Sequence, residues 1–371
     1  MLIVADENMP LLEECFGEFG TIKKLPGRNL SNGDLKDASV LLVRSVTKVD
    51  KNLLEGTPVR FVGTATIGTD HLDMAWMNHE KIHHVSAPGC NAESVADWVV
   101  ACLAHWSLRM GKNLAGLKAG IVGHGNVGSR VEARLKGIGM ATLVSDPPKA
   151  NRDRLFQDSP LDELTECDLI SLHAPLIPEG DHPTHRLIGD AFLSNLRDGT
   201  LVMSAGRGPV LDVAAVRQHV DRLHFFLDVW DPEPNVPQDL LEKVDITTPH
   251  IAGYSLQSKW RGTEMLYREF CKFLGRDPSV IPYPLSPQII NLEPEMEDWR
   301  RAVLRHYDPL VDSNRTKEAL LRNEAAGQAF DLLRKNYPLR HEFDFPVYRG
   351  EKLSTSSMTR LKKIGFRVQH D

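Results

Sequence analysis

Short apolar runs alternate with amphipathic stretches from the first residues to about position 275, the pattern of parallel strands covered by helices on both faces. Apolar runs at 2–5, 40–43, 61–62, 120–122, 141–144, 169–172, 201–203, 225–227 and 244–247 predict strands. They read as continuous rather than alternating hydrophobicity, as strands buried on both faces do. Helical periodicity marks 10–19, 92–109, 127–138, 191–196, 212–220 and 256–273. Asn91 stands where a side chain can cap the long helix opening at Ala92, and Glu93 adds a carboxylate near its positive end.

After Gly275 the texture changes. Pro278, Pro282, Pro284 and Pro287 form a connector, since each fixes φ and lacks an amide donor. Residues 286–371 then mix helical stretches such as 316–336 with polar turns, which predicts a smaller α+β module. Hydrophobic residues at 42% and charged residues at 25% suit a globular chain with a sizeable core, and 371 residues suffice for two or three domains. A formal charge of −6 offers no basic excess for a nucleic-acid backbone or an anionic membrane. No apolar stretch reaches the roughly 18 residues of a membrane span. The N-terminal run is too short, and lacks the basic flank, for a signal peptide. Cys15, Cys90, Cys102, Cys167 and Cys271 are scattered without a Cys-x-x-Cys pair, so a reducing, cytoplasmic setting is expected. His83, His84, His182 and His185 lack the carboxylate–histidine spacing of a metal site, and no metal is expected.

Gly123-His-Gly-Asn-Val-Gly128 follows an apolar run and opens a helical pattern. Glycines at these positions allow a tight turn, close approach of the backbone to a pyrophosphate and close helix–strand packing, and Asn126 and Val127 start the helix whose amides face the anion. Asp146 ends the next strand, where a carboxylate about 20 residues on takes both ribose hydroxyls and repels a 2′-phosphate. The pattern predicts NAD binding. Because this loop begins only near residue 118, after a long α/β stretch, one domain is expected to be inserted in another. The expected division is 1–95 with 257–285, interrupted by a nucleotide-binding 96–256.

Three polar residues follow later strands, at the sheet edge where ligands bind in open α/β sheets. They are Arg207 in Ser204-Ala-Gly-Arg207-Gly, Glu233 in Asp231-Pro-Glu233-Pro, and His250 in Thr248-Pro-His250-Ile-Ala-Gly. Oxidation of a 2-hydroxy acid needs one of each: a base for the hydroxyl proton, a carboxylate that favours the imidazolium, and a guanidinium for the substrate carboxylate. Singly, each is more often a turn or surface residue; their joint appearance downstream of the glycine loop favours chemistry.

The order and spacing of these segments over about residues 40–275 resemble the D-2-hydroxyacid dehydrogenase family. The resemblance implies two Rossmann-like doubly wound parallel-sheet domains, one inserted in the other, with Arg207, Glu233 and His250 catalytic. It implies that Asp228 holds the nicotinamide carboxamide and that Ala174, Ala205, Gly206 and Gly253 line the cofactor site. Val4-Ala-Asp-Glu-Asn-Met-Pro10, Val43-Arg-Ser-Val-Thr-Lys-Val49, Phe61-Val-Gly-Thr-Ala-Thr66 with Gly68-Thr-Asp-His71, and Ala87-Pro-Gly-Cys-Asn-Ala92 resemble one branch of that family more closely. That branch oxidises a phosphorylated four-carbon sugar acid in vitamin B6 synthesis. It implies substrate contacts at Ser45, Thr66 and Tyr254, and a C-terminal domain that makes a homodimer. Arg44 adds a cation after the same strand as Ser45. Two positions depart from the branch: Ala174 replaces a more usual threonine, and Ser204-Ala-Gly206 replaces an asparagine-containing approach. Another dehydrogenase of the family, such as one acting on 3-phosphoglycerate, or a catalytically silent NAD-sensing protein, would share much of this pattern.

Overall fold

The computed structural model describes residues 1–321 and 323–369. The chain divides into two compact units, Met1–Asn91 with Ser255–Ser286, and Ala92–Tyr254 with the tail from Pro287 onward.

The first unit is built on five parallel strands, Leu2–Asp6 (β1), Thr21–Leu25 (β2), Ala38–Val43 (β3), Phe61–Thr64 (β4) and His83–Val85 (β5), in the order β2-β1-β3-β4-β5. The central β1, β3 and β4 are almost wholly buried, as their continuous apolar runs predict. The apolar pattern does not predict the edge strands β2 and β5. Lys23 and Lys24 leave β2 largely exposed, and polar edges of this kind protect a sheet from pairing with another chain. The helix Leu256–Phe273 returns to this unit and opens on a cap in which the Ser255 hydroxyl accepts from Ser258 N at 2.9 Å. Its Phe270 packs on Phe16, Phe19 and Phe61 with ring centroids 5.7, 5.1 and 5.0 Å away.

The second unit carries six parallel strands: Lys118–Val122 (β6), Ala141–Ser145 (β7), Leu169–Leu172 (β8), Leu201–Ser204 (β9), His224–Leu227 (β10) and Ile246–Thr247 (β11). Their order is β11-β10-β9-β8-β6-β7, so the chain steps outward from β6 to β7 and then back across to β8. That reversal opens a crevice at the carboxyl ends of β6 and β8, the place where doubly wound sheets bind ligands. The register pairs Val122 with Leu172, Ser204 with Leu227, and Leu227 with Thr247, which lines up the loops that follow these strands.

The tail packs on this unit. It adds three short parallel strands, Ile289–Asn291 (β12), Val347–Arg349 (β13) and Arg367–Gln369 (β14), and the helices Trp299–His306, Pro309–Leu320, Ala326–Lys335 and Thr355–Lys363. The expected 316–336 helix is therefore two helices. Trp299, Val303, Phe343 and Phe366 share one core with Trp98 and Leu103 of the helix Ala92–Met110, while Leu320, Ala329 and Phe330 join the core around Trp230. The helix Ala92–Met110 is buried on nearly every face. Asn91, expected to cap it, leaves its Oδ1 buried without a hydrogen-bond partner among the described residues. It therefore makes no capping hydrogen bond to the first helical amides.

Charge fixes three of these segments together. Arg134, on the helix Asn126–Ile138, is 5% exposed and pairs with Asp97 and with Glu93 at 2.7 Å, both on the helix Ala92–Met110. Asp97 Oδ2 accepts from Phe343 N of the tail at 3.0 Å. Removing one member of a buried pair leaves the others desolvated and unpaired. Arg134→Met should lower the unfolding free energy by about 3–5 kcal/mol, read from the denaturant or thermal midpoint. A loss below about 1 kcal/mol would show that the cluster counts for no more than an exposed ion pair.

Candidate active site

The glycine loop forms where β6 meets the helix Asn126–Ile138. Gly123 has φ +88°, and a Cβ there would stand 2.7 Å from Ala174 N. A Cβ on Gly128 would stand 2.0 Å from the Gly123 carbonyl oxygen. Both positions therefore exclude a side chain, one by conformation and contact and the other by contact alone. Gly125, by contrast, would meet nothing within 4 Å and leaves the loop open on the side of the helix N-terminus. An anion can approach there, with the first amides of the helix, including those of Asn126 and Val127, beside it.

Asp146 follows β7 and braces the same loop. Its Oδ2 accepts from His124 N at 2.7 Å, and its Oδ1 accepts from Lys149 N at 2.9 Å, which caps the short helix Pro147–Ala150. Around it lies a cluster that strand and glycine patterns did not reveal. His124 Nδ1 accepts from Lys149 Nζ at 2.8 Å, so its Nε2–H donates to Glu132 Oε2, also at 2.8 Å. The His124 ring stacks on Phe156, with centroids 5.2 Å apart. These residues come from four separated segments, and their contacts are visible only in three dimensions. The remaining cofactor candidates also lie at strand ends. Ala174 is buried after β8, Ala205 and Gly206 follow β9, and a Cβ on Gly206 would stand 3.1 Å from the Ala174 carbonyl oxygen. His173, beside Ala174, is half-buried with its Nδ1 enclosed and without a partner among the described residues, and desolvation lowers its pKa to about 3.

The three catalytic candidates follow β9, β10 and β11, which are neighbours in the sheet. Arg207 is half-buried, with Nη1 donating to the Gly206 carbonyl oxygen at 3.0 Å. The chain beside it touches the Glu233 loop, since a Cβ on Gly208 would collide with the Trp230 carbonyl oxygen at 1.8 Å. Glu233 Oε1 accepts from Trp230 N at 3.0 Å, and its Oε2 accepts from His250 Nδ1 at 2.8 Å. Burial pushes the Glu233 carboxyl up, but the charge and hydrogen bond of His250, the Trp230 amide and Arg334 outweigh it and hold it below its ordinary value. With Nδ1–H committed to a carboxylate, His250 presents the lone pair of Nε2, and no hydrogen bond engages that atom among the described residues. The tautomer is inferred from this network. The His250 side chain is 32% exposed, so a substrate hydroxyl can reach it.

Asp228, the first residue after β10, fixes this loop. It is 1% exposed, and its Oδ1 accepts from Thr248 Oγ1 at 2.6 Å and Ile251 N at 2.8 Å, while Oδ2 accepts from Ala252 N at 3.0 Å. Burial raises its pKa, against the opposing pull of His250 and these donors. Its backbone carbonyl also accepts from His250 N at 2.8 Å. His250 itself has φ +57°, a left-handed conformation that a non-glycine side chain adopts at some cost. Gly253 and Tyr254 follow directly, and the Tyr254 ring meets Tyr337 edge-on at 6.0 Å.

The remaining substrate candidates belong to the first unit. Arg44 and Ser45 follow β3, and Thr66 follows β4, its neighbour in the sheet. Arg44 Nη1 is 3.9 Å from the fully buried Asp6 Oδ1, and Ser45 is exposed. The Thr66 hydroxyl donates to the Gly68 carbonyl oxygen at 3.0 Å and lies 2.8 Å from the Thr64 hydroxyl, which is 2.9 Å from His71 Nε2. No group of three or more His, Cys, Asp or Glu side chains among the described residues is arranged to hold a metal ion.

Residues 92–252 match the family described as D-isomer specific 2-hydroxyacid dehydrogenase, NAD binding domain. Over its whole length the chain is 43% identical to the erythronate-4-phosphate dehydrogenase of Marinobacter nauticus, covering all of that protein. It is 46% identical to the enzyme of the same name from Azotobacter vinelandii, over 93% of each chain. Among solved structures, NAD-bound 3-phosphoglycerate dehydrogenase of Entamoeba histolytica is similar with a TM-score of 0.63 and 26% identity, over 74% of this chain and 95% of that one.

The His250–Glu233 pair makes a prediction about turnover. His250→Asn should cut kcat by about 10²–10⁴, the usual contribution of a general base. Glu233→Gln removes the charge that stabilises the imidazolium formed in the step, so kcat should fall by about 10-fold or more. Steady-state NADH formation reads both. An unchanged rate in His250→Asn would remove His250 from the chemistry.

Proposed function

The chain belongs to the erythronate-4-phosphate dehydrogenase family of D-isomer-specific 2-hydroxyacid dehydrogenases, and we propose that it oxidises 4-phospho-D-erythronate at C2 to (R)-3-hydroxy-2-oxo-4-phosphooxybutanoate, with NAD as its cofactor, in vitamin B6 synthesis. The observation that carries this reading is the His250–Glu233 pair, set at the ends of neighbouring strands from Arg207 and in the unit that holds the glycine loop.

Bound NAD supplies the hydride acceptor. The glycine loop with Asn126 and Val127 would offer amides to its pyrophosphate, Asp146 would take its ribose hydroxyls, and Ala174, Ala205, Gly206, Asp228 and Gly253 would hold the rest of it. Asp146 already accepts two amides, yet a carboxylate has about four acceptor sites, so ribose hydroxyls can join them. Arg207 grips the substrate carboxylate and polarises the C2 oxygen. His250 Nε2 takes the C2 hydroxyl proton, and Glu233 stabilises the resulting imidazolium through Nδ1. Arg44, Ser45, Thr66 and Tyr254 are further contacts to the acid.

The tail leaves Val311, Leu332 and Leu339 exposed by 55%, 55% and 65%, apolar surface suited to a homodimer contact. The five free cysteines suit a reducing compartment, and we place the enzyme in the cytoplasm. No helix among the described residues is long and apolar enough to cross a membrane.

A second reading, oxidation of 3-phosphoglycerate, would use the same catalytic trio. Absorbance of NADH on mixing the protein with NAD and 4-phosphoerythronate, 3-phosphoglycerate or D-lactate separates the two. We expect reduction with 4-phosphoerythronate, at a kcat/KM at least about 100-fold above the other acids, since a site built around an anionic group rejects ligands that lack or misplace it. Turnover of 3-phosphoglycerate alone would replace the substrate. Silence with all three acids, and with a 2-oxo acid added to reoxidise bound cofactor, would leave a binding protein.

A further inference from the structure

One cation beside the catalytic pair has no task in the chemistry described so far. The helix Ala326–Lys335 of the tail lies against the segment that bears Glu233: a Cβ on Gly327 would stand 2.6 Å from Asn235 Oδ1, and Phe330 is buried in the same core as Trp230. Arg334 lies one turn beyond Phe330, on the same helix face. Its guanidinium carbon is 5.9 Å from the Phe330 ring centroid and 5.7 Å from that of Tyr254. Its Nε is buried and has no hydrogen-bond partner among the described residues. Of the acidic groups that act on it, Asp331 belongs to its own helix and Glu233 is already committed to His250 and Trp230 N.

A guanidinium beside two aromatic rings, with a buried Nε–H unmatched, carries a donor that an oxyanion can satisfy. The proposed substrate carries two anionic ends. Arg207 serves the carboxylate, and the phosphate sits only two carbons beyond the reacting C2. A cation on a segment adjoining both His250–Glu233 and Tyr254 can reach it, and Arg334 is on such a segment. We propose that Arg334 is a substrate-binding residue that takes the phosphate of the phosphorylated acid and thereby sets specificity, with Tyr254 orienting its guanidinium. The tail then contributes a functional group to the site as well as packing. The inference rests on the substrate reading given above.

The test uses the intact enzyme, with wild-type turnover of 4-phosphoerythronate established first; absence of that turnover would defeat the substrate reading, independently of Arg334. Arg334→Met is then compared with wild type in two ways. One is the Michaelis constant for the phosphorylated acid. The other is the binding of unphosphorylated D-erythronate, read as a Michaelis constant if it is oxidised or as an inhibition constant if it only competes. The expected result is a Michaelis constant for the phosphorylated acid raised about 10- to 100-fold, with kcat changed less, and a constant for D-erythronate within about threefold of wild type. NADH binding by fluorescence and the thermal midpoint report whether the variant is folded. Should Arg334→Met unfold, Arg334→Lys replaces it; a lysine keeps the charge but loses the fork, and the expected rise is about 3- to 10-fold, again confined to the phosphorylated acid. An equal loss for both acids would make Arg334 a positioning residue acting through Glu233 or Tyr254, and an unchanged Michaelis constant would remove it from the site. Either result overturns the proposal.

Discussion

The buried carboxylate of Asp228 is the constraint on which the catalytic geometry depends. It stands at the end of β10 and gathers the Thr248 hydroxyl and the amides of Ile251 and Ala252, while its own carbonyl takes the amide of His250. Hydrogen bonds to a charged group contribute about 1.5–3 kcal/mol each, whereas a left-handed non-glycine residue costs about 1–3 kcal/mol. Three such bonds therefore hold His250 at φ +57°. Held there, its Nδ1 meets Glu233 and its Nε2 stays without a hydrogen bond among the described residues. Neither aspartate nor histidine achieves this alone, because β10 and β11 must first bring residues 228 and 248–252 side by side.

The tail reinforces the same loop from the other side. Arg340 is 8% exposed, and its Nη2 donates to the carbonyls of Ile251, at 3.3 Å, and Ala252, and to the Ser94 hydroxyl. Its guanidinium lies over the Tyr307 ring at 4.5 Å, and Asp312 accepts from the hydroxyls of Tyr307 and Tyr337 at 2.9 and 2.7 Å. Amides of residues 251 and 252 are thus held by β10, and their carbonyls by the tail. A loop pinned on both polar edges is preorganised, and preorganised donors and acceptors lose little on reaching the transition state. This gives the C-terminal segment a physical connection to catalysis whatever its part in assembly.

Much of this architecture is legible in the sequence, for reasons that also explain the gaps. Central parallel strands such as β3 and β8 are continuous apolar runs because both faces are covered, and Gly123 and Gly128 mark places where a Cβ cannot fit. Arg207, Glu233 and His250 stand out because each follows a strand, which locates them on one sheet edge without knowledge of their contacts. The pattern fails where burial is one-sided or elements are short. β2 carries Lys23 and Lys24, and the tail strands are three residues long, so neither produces a readable run. The break between Leu320 and Ala326 is hidden by polar residues compatible with a helix. His124, Glu132, Lys149, Arg334 and Arg340 owe their contacts to partners far along the chain, and no local spacing announces them. Nor does the Asn91 side chain cap the helix it precedes, although its position in the sequence is that of a cap.

If His250 takes the hydroxyl proton, the hydrogen on C2 of the acid must leave as hydride. The most direct measurement is turnover of 4-phosphoerythronate carrying deuterium at C2, with the reduced cofactor isolated and analysed for label. One deuterium should appear on the nicotinamide ring per molecule of NADH formed. Reduced cofactor without deuterium, or label released to water, would contradict it.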